Sequence, residues 1–199
     1  PITRSHLVAK LELAEKSARM IQFNLERAAS LINSFKEVAV DQSSDSRRKF
    51  FLYNYLKEVV DSLHAETRNF RLNINLEGDR SLEIDSYPGV FGQILCNFMM
   101  NSLKHGIDPD EDHNIWINYS CDEYYFVMIF KDDGVGLTPS VLDHIFEPFY
   151  TTKRREGSTG LGLHIIQTLV TEKLKGSINA SNVEAGGLAF TIRVPLTNL

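Results

Sequence analysis

The sequence holds two cysteines in 199 residues, Cys96 and Cys121, far apart and outside any C-x-x-C pair. That excludes a disulfide framework and leaves no zinc-ligand spacing, so both read as buried thiols of a reducing compartment. No run of about 18 apolar residues is present and no secretory leader opens the sequence, so nothing reads as a membrane span or an export signal. The chain is expected to be cytoplasmic and to make no membrane contact itself, even if a larger protein around it is anchored. Basic charge is short as well: 21 Lys and Arg stand against 26 Asp and Glu, a net charge of −5. Phosphate backbones are held by clustered basic residues on a basic domain, so no nucleic-acid partner is expected. Internal repeats and low-complexity tracts are missing too. What is present is a 43% hydrophobic chain, enough for a sizeable core, with local basic clusters at residues 47–49 and 153–155.

Near the start, Leu7, Leu11, Ala14, Ala18, Ile21, Leu25, Ala28, Ile32 and Phe35 recur at alternating spacings of four and three. A strict heptad stripe on one long helix over residues 1–40 suits pairing with another helix, and its alanines allow close approach. A helix packed on its own domain would show a wider stripe of period 3.6. Thr3 or Ser5 can serve as its N-cap. Residues 41–49 (DQSSDSRRK) are polar and turn-rich and read as a linker.

A second domain then spans residues 50–199. Residues 50–70 read as a helix with Leu52, Leu56, Val59, Val60 and Leu63 inward, and Leu72, Ile74 and Leu76 alternate as a strand. Gly78-Asp79 turns into a short strand at 82–85. Strands follow at 115–119 and 124–130, joined by Asp122-Glu123, and a short helix opens at Thr138-Pro139. Residues 147–159 carry no periodicity and read as a loop. A helix from Gly162 to about Lys175, stopped by Gly176, leads to strands at 177–181 and 189–194. Without a regular β-α-β rhythm, the pattern is that of an α/β sandwich, a mixed sheet covered on one face by helices.

Residues 93–106 (QILCNFMMNSLKHG) carry the densest chemistry. On a helix opened by Pro88, Asn97, Asn101 and Lys104 fall at i, i+4 and i+7, beside an apolar face of Phe91, Leu95, Phe98 and Ser102. Two amides and an ammonium on one stripe suit a metal ion with a phosphate; a core helix whose polar edge faces water is the plain alternative. Gly106, after Lys104 and His105, is expected to end the helix with positive φ. Asp132, Gly134 and Gly136 form D-x-G-x-G at a strand end, where a carboxylate can accept from an exocyclic amine and glycines let a flat ring approach the backbone. Such pairs also mark ordinary turns. Gly160-Leu161-Gly162-Leu163, just before a helix start, is a plausible phosphate cradle. The chain has no G-x-x-x-x-G-K-[ST], H-R-D or D-F-G, which excludes the two commonest ATP architectures at motif level.

In order, N-x-x-x-N-x-x-K from Asn97 to Lys104, D-x-G-x-G from Asp132 to Gly136, Phe146-Glu147-Pro148-Phe149-Tyr150-Thr151-Thr152-Lys153, and Gly160-Leu161-Gly162-Leu163 resemble the N, G1, F and G2 boxes of bacterial sensor histidine kinases. The resemblance covers essentially all of residues 50–199. It implies the Bergerat-type two-layer sandwich shared with gyrase, the Hsp90 chaperones and the MutL proteins. It implies ATP and Mg²⁺ as cofactors, with Asp132 on the adenine amine and Gly134 and Gly136 shaping that pocket. Asn101 would hold Mg²⁺, Asn97 would lie beside the phosphates and Lys104 would neutralise them, while His105 would flank the nucleoside. Phe149, Tyr150 and the loop to Thr159 would form a lid, and Gly160, Leu161 and Gly162 would meet the phosphates. Residues 25–42 resemble the second helix of the kinase dimerisation hairpin, which implies a homodimer, and the family implies a response-regulator receiver domain as partner.

Two departures stand out. Many such kinases place Thr or Ser after the glycines near the last strand, where Leu188 stands here. No H-E-x-x-T-P-[IL] box is present, so the acceptor histidine is expected outside this chain. His6 lacks the acidic residue that would follow it in such a box, and His64, His113 and His144 read as surface or half-buried residues and His164 as a packing one. None of these five has an evident acidic partner to orient it. Two other functions compete with phosphoryl transfer to histidine. A hydrolase of the same superfamily would carry a general-base Glu where Asn97 stands, and an amide cannot take a proton from water. A dimeric nucleotide-sensing module without catalysis is the other.

Overall fold

The computed structural model describes Lys10 and residues 13–18, 20–21, 46–153 and 158–199. Lys10 and residues 13–18 and 20–21 are helical, and Leu13, Met20 and Ile21 are exposed. The rest of the heptad helix and most of the linker, with His6, lie outside the described residues.

The five-stranded sheet follows from alternation in the sequence. Strands β2 (Arg71–Glu77), β4 (Asp112–Cys121), β5 (Tyr125–Asp132), β6 (Ser177–Asn182) and β7 (Leu188–Pro195) lie in the order β2-β4-β5-β7-β6. The β2–β4 pair is parallel and the others antiparallel. Ile115, Ile117, Phe126, Met128, Phe130, Phe190, Ile192 and Val194 all point to one buried face, as period two requires. The opposite face is half-open. There Lys131 lies over the Trp116 ring at 4.6 Å and Arg193 over Tyr125 at 3.9 Å.

Helices cover the buried face. The Pro88–Asn101 helix carries Pro at its first turn and buries Phe91, Ile94, Leu95, Phe98 and Met99. Phe98 stacks on Phe190 with centroids 4.3 Å apart and leans on Phe130 at 5.3 Å, which fixes the helix against β5 and β7. With one face locked in this way, the stripe of Asn97 and Asn101 must look along the helix edge. The Gly162–Thr168 helix lies beside it, and the Leu52–Ser62 helix packs on its other flank through Leu52 and Leu56. This is the two-layer α/β sandwich expected from the sequence.

Several boundaries differ. Phe50 and Phe51 belong not to a helix but to a strand, β1 (Arg48–Phe51), which also takes in Arg48 and Lys49 from the supposed linker. It pairs with β3 (Glu83–Ser86) in a separate two-stranded sheet, a partnership across the chain that no local pattern reveals. Gly106 does not take a positive φ. The helix instead loosens into a π turn over Ser102–Gly106, with the Ile107 N–H reaching the Ser102 carbonyl at 3.0 Å. A second π turn, Leu169–Lys173, ends the last helix, and Lys175 rather than Gly176 takes the left-handed φ of 54°. Cys96 is half-buried and Cys121 exposed, so the expectation of two buried thiols fails for Cys121, which sits at a strand end.

Candidate functional site

At one end of the sandwich, a cleft of about 620 Å³ opens between the Pro88–Asn101 helix, the end of β5, the loop after Tyr150 and the start of the Gly162–Thr168 helix. That volume is in the range of small-molecule sites. Asn97, Asn101, Lys104 and His105 line one wall. Asp132 and Gly136 line the second, and Tyr150, Thr159, Gly160 and Gly162 the third. The other three expected residues are not among those that line the cleft. Gly134 and Leu161 are buried, and Phe149 is half exposed at the rim with a left-handed φ of 65°.

The carboxylate of Asp132 is 3% exposed. Its Oδ1 accepts the backbone N–H groups of Gly134 and Leu188, each at 3.1 Å, and its Oδ2 accepts the Ser102 hydroxyl at 2.6 Å. Gly134 is needed for close approach: a Cβ there would lie 2.1 Å from the Gly106 carbonyl oxygen, which receives the Val135 N–H at 2.9 Å. The end of β5 and the π turn are thereby pressed together, and this brings Asp132 to Ser102. Gly136, with φ 66°, turns the chain along the cleft floor.

Behind that floor, Asn182 at the end of β6 clamps Leu137. Its Oδ1 accepts the Leu137 N–H at 2.8 Å and its Nδ2 donates to the Leu137 carbonyl at 2.6 Å. Beside it, Asp133 accepts the backbone and side-chain N–H groups of Asn114, and His113 donates to it from Nδ1 at 2.9 Å. The His113 Nε2 accepts the Asp108 N–H at 3.1 Å, so the ring proton sits on Nδ1. Burial works against the charged form of Asp133, but the Asn114 and His113 donors outweigh it and hold the carboxyl below the usual carboxylate range.

On the phosphate side of the expected layout, Asn97 donates from Nδ2 to the Gln93 carbonyl at 3.0 Å, which turns its Oδ1 toward Gly162. A Cβ on Gly162 would lie 2.7 Å from that oxygen, so a larger residue there would push the Asn97 amide out of this position. Asn101 keeps its Nδ2 buried with no hydrogen-bond partner among the described residues. A buried orphan amide is costly unless a ligand meets it. The same amide carries Oδ1, a hard oxygen of the kind that suits Mg²⁺. Where a lid is expected, Gly160, with φ 69°, packs directly on the backbone of Phe149 and Tyr150, and the Lys153 ammonium donates to the Lys104 carbonyl at 3.0 Å.

Two histidines do have acidic partners, contrary to expectation. Besides His113, His144 meets Glu147 at 2.7 Å, and that contact and its charge raise the His144 pKa above its ordinary value. Both carboxylates are supplied by folding or by a turn, so no acid follows either histidine directly. His164 donates to the Phe146 carbonyl at 3.1 Å, a packing role as expected. Ser102, Asn114 and Asn182 hold none of the defining positions of the motifs that mark the other site residues. Ser102 alone left a signal, a hydroxyl on an otherwise apolar stripe.

Residues 88–198 match the family model described as histidine kinase-, DNA gyrase B-, and HSP90-like ATPase. The chain is 29% identical over 180 residues to sporulation kinase E of Bacillus subtilis, covering 89% of this chain and 23% of that protein. It is 26% identical over 208 residues to the sensor histidine kinase CpxA of Escherichia coli, covering 98% of this chain and 44% of that protein. The chain thus spans less than half the length of either relative. Among solved structures, it is similar to the nucleotide-free catalytic domain of the histidine kinase ThkA, with TM-score 0.66, 23% identity, and coverage of 75% of this chain and 97% of that one. It is also similar to ThkA in complex with the response regulator protein TrrA, with TM-score 0.68, 20% identity, and coverage of 93% and 52%.

Proposed function

Because the chain belongs to the family of histidine kinase-, DNA gyrase B-, and HSP90-like ATPases, we propose that it is the catalytic core of a two-component sensor histidine kinase that binds Mg·ATP in this cleft. The observation that carries the reading is the convergence of Asp132 with Asn97, Asn101 and Lys104 on one cleft closed by Gly162. Asp132 accepts the adenine amine. Asn97 and Lys104 face the phosphates, and the N–H groups after Gly160 add donors there. His105, Tyr150 and Thr159 flank the nucleotide, with Phe149 and Leu161 bracing the lid base. Asn101 would hold Mg²⁺, which supplies neutralisation of phosphate charge when bound.

Little covalent chemistry falls to the protein in such a transfer, so positioning and charge neutralisation do most of it. An imidazole nitrogen attacks the γ-phosphorus in line, the N–P bond forms as the bond to the bridging oxygen breaks, and ADP leaves with that electron pair while the ring proton passes to solvent. No histidine of the sequence stands in an H-E-x-x-x-P box, so the acceptor is supplied by another helix. The partners proposed are a second copy through the heptad helix of residues 1–40, as the exposure of the stripe residues Ala14, Ala18 and Ile21 allows, and a response-regulator receiver domain. Among the described residues no helix is long and apolar enough to cross a membrane. A cytoplasmic location is proposed.

The hydrolase reading lacks its base. The cleft wall has an amide at Asn97, engaged with Gln93, and an amide cannot deprotonate water. The test is incubation with γ-labelled ATP and a separate helical hairpin bearing an H-E-x-x-x-P box. Acid-labile, base-stable label on that hairpin is expected; release of inorganic phosphate with no label on protein would support a hydrolase instead.

A further inference from the structure

We infer that Ser102 is a specificity-determining residue of the base pocket: its hydroxyl sets the Asp132 carboxylate so that one acceptor position is left for a purine exocyclic amine. The inference rests on the reading that the cleft binds an adenine nucleotide. A carboxylate offers about four acceptor positions. Three are taken: Gly134 and Leu188 donate to Oδ1 at 3.1 Å each, and Ser102 donates to Oδ2 at 2.6 Å. With both oxygens bonded, the carboxylate cannot turn, and the single remaining position lies on Oδ2, the oxygen that Ser102 holds.

Ser102 has no packing reason to be polar. It is 3% exposed, next to buried Leu103 and one turn from buried Phe98. A hydroxyl in such a place costs free energy unless it is bonded. Its bond reaches thirty residues along the chain to Asp132, and both residues line the cleft. The π turn that begins at Ser102 aims it there, since it shifts the register of the helix end just where the hydroxyl must meet β5. The last strand contributes only the Leu188 backbone N–H, so Ser102 is the one side-chain hydroxyl bonded to this carboxylate among the described residues.

Base selectivity follows. Adenine presents an amine to the open position on Oδ2, whereas hypoxanthine presents a carbonyl oxygen there. Without Ser102 the carboxylate can turn and take water, and the amine must compete with it. Hypoxanthine makes no such bond and has none to lose.

The experiment is calorimetric titration of the full chain with Mg·ADP and Mg·IDP, for wild type, Ser102→Ala and Ser102→Thr. The expected result is that Ser102→Ala weakens ADP about tenfold, the equivalent of one hydrogen bond to a charged group, and leaves IDP within about twofold, the scatter of small hydrogen-bond changes. Ser102→Thr, which keeps the hydroxyl, retains the preference for ADP. An unchanged ADP to IDP ratio in Ser102→Ala overturns the inference. So does an equal loss for both nucleotides, which would mark a structural role alone. If wild type binds neither nucleotide, the nucleotide reading of the cleft fails and the inference with it.

Discussion

The Asn182 clamp gives the sharpest stability prediction, because a single atom change separates geometry from chemistry. Its amide makes two bonds to the backbone of Leu137, at 2.8 and 2.6 Å, across 45 residues of chain. The residue is exposed, so each bond is worth the low end of the usual range, about 1–2 kcal/mol for the pair. Asn182→Ala should therefore lower Tm by about 2–8 °C in a domain of this size, at all pH values alike. Asn182→Asp keeps the acceptor for the Leu137 N–H but sets a carboxylate oxygen against the Leu137 carbonyl. Protonation of that carboxyl restores the lost donor, so its pKa in the folded state rises above the unfolded value of about 3.9. The sign follows: the restored stability is full below the unfolded value and is lost as pH rises through the raised folded value. Thermal melts from pH 4 to 8 should show Asn182→Asp near wild type in acid and at or below Asn182→Ala at neutrality. Parallel curves for the two variants would refute the bidentate clamp.

Other outcomes can be checked with the same preparations. Gly134→Ala places a methyl 2.1 Å from the Gly106 carbonyl oxygen; overpacking of this kind costs about 1–3 kcal/mol, and nucleotide binding should fall with Tm because Asp132 moves with that turn. Gly162→Ala meets only the Asn97 side chain, at 2.7 Å, so it should leave Tm nearly unchanged while weakening binding of nucleoside triphosphate. Asp133→Ala should destabilise the chain at neutral pH. Since its donors hold the Asp133 pKa down, that contribution is present above the unfolded carboxylate value and fades as pH falls through the lowered one, so acid melts of variant and wild type should converge. Replacing Ile21 and Leu25 by Glu should give a monomer by light scattering that still binds nucleotide; a variant that stays dimeric would remove the heptad stripe from the interface.

Legibility in the sequence tracked how local each feature is. The sheet strands of residues 71–77, 112–121 and 188–195 announce themselves by alternation, and Pro88 with the heavy apolar face announces its helix. The cleft residues on one helix face were readable because i, i+4 and i+7 share a side whatever the tertiary fold. What failed depends on partners distant in sequence. Strand β1 exists only because Glu83–Ser86 lies beside it, and Phe50-Phe51-Leu52 fits a helix face just as well. Asn182 and Ser102 meet Leu137 and Asp132 across 45 and 30 residues; nothing near Asn182 hints at its partner, and the Ser102 hydroxyl on an apolar stripe marks that residue without marking Asp132 as what it meets. The π turn that replaces the expected glycine stop was hidden for the same reason, since it is the fit of Gly134 against Gly106 that holds the helix end in that register.

A thermal-shift titration of Mg·ADP on wild type and Asp132→Asn bears most directly on the nucleotide site. Binding to the folded state alone raises stability by roughly 2.7 kcal/mol at 100-fold excess over Kd. Wild type should show a saturable rise in Tm that Asp132→Asn largely loses while still unfolding cooperatively. A wild-type Tm that ignores Mg·ADP, or an equal rise in the variant, would contradict the assignment of this cleft to an adenine nucleotide held by Asp132.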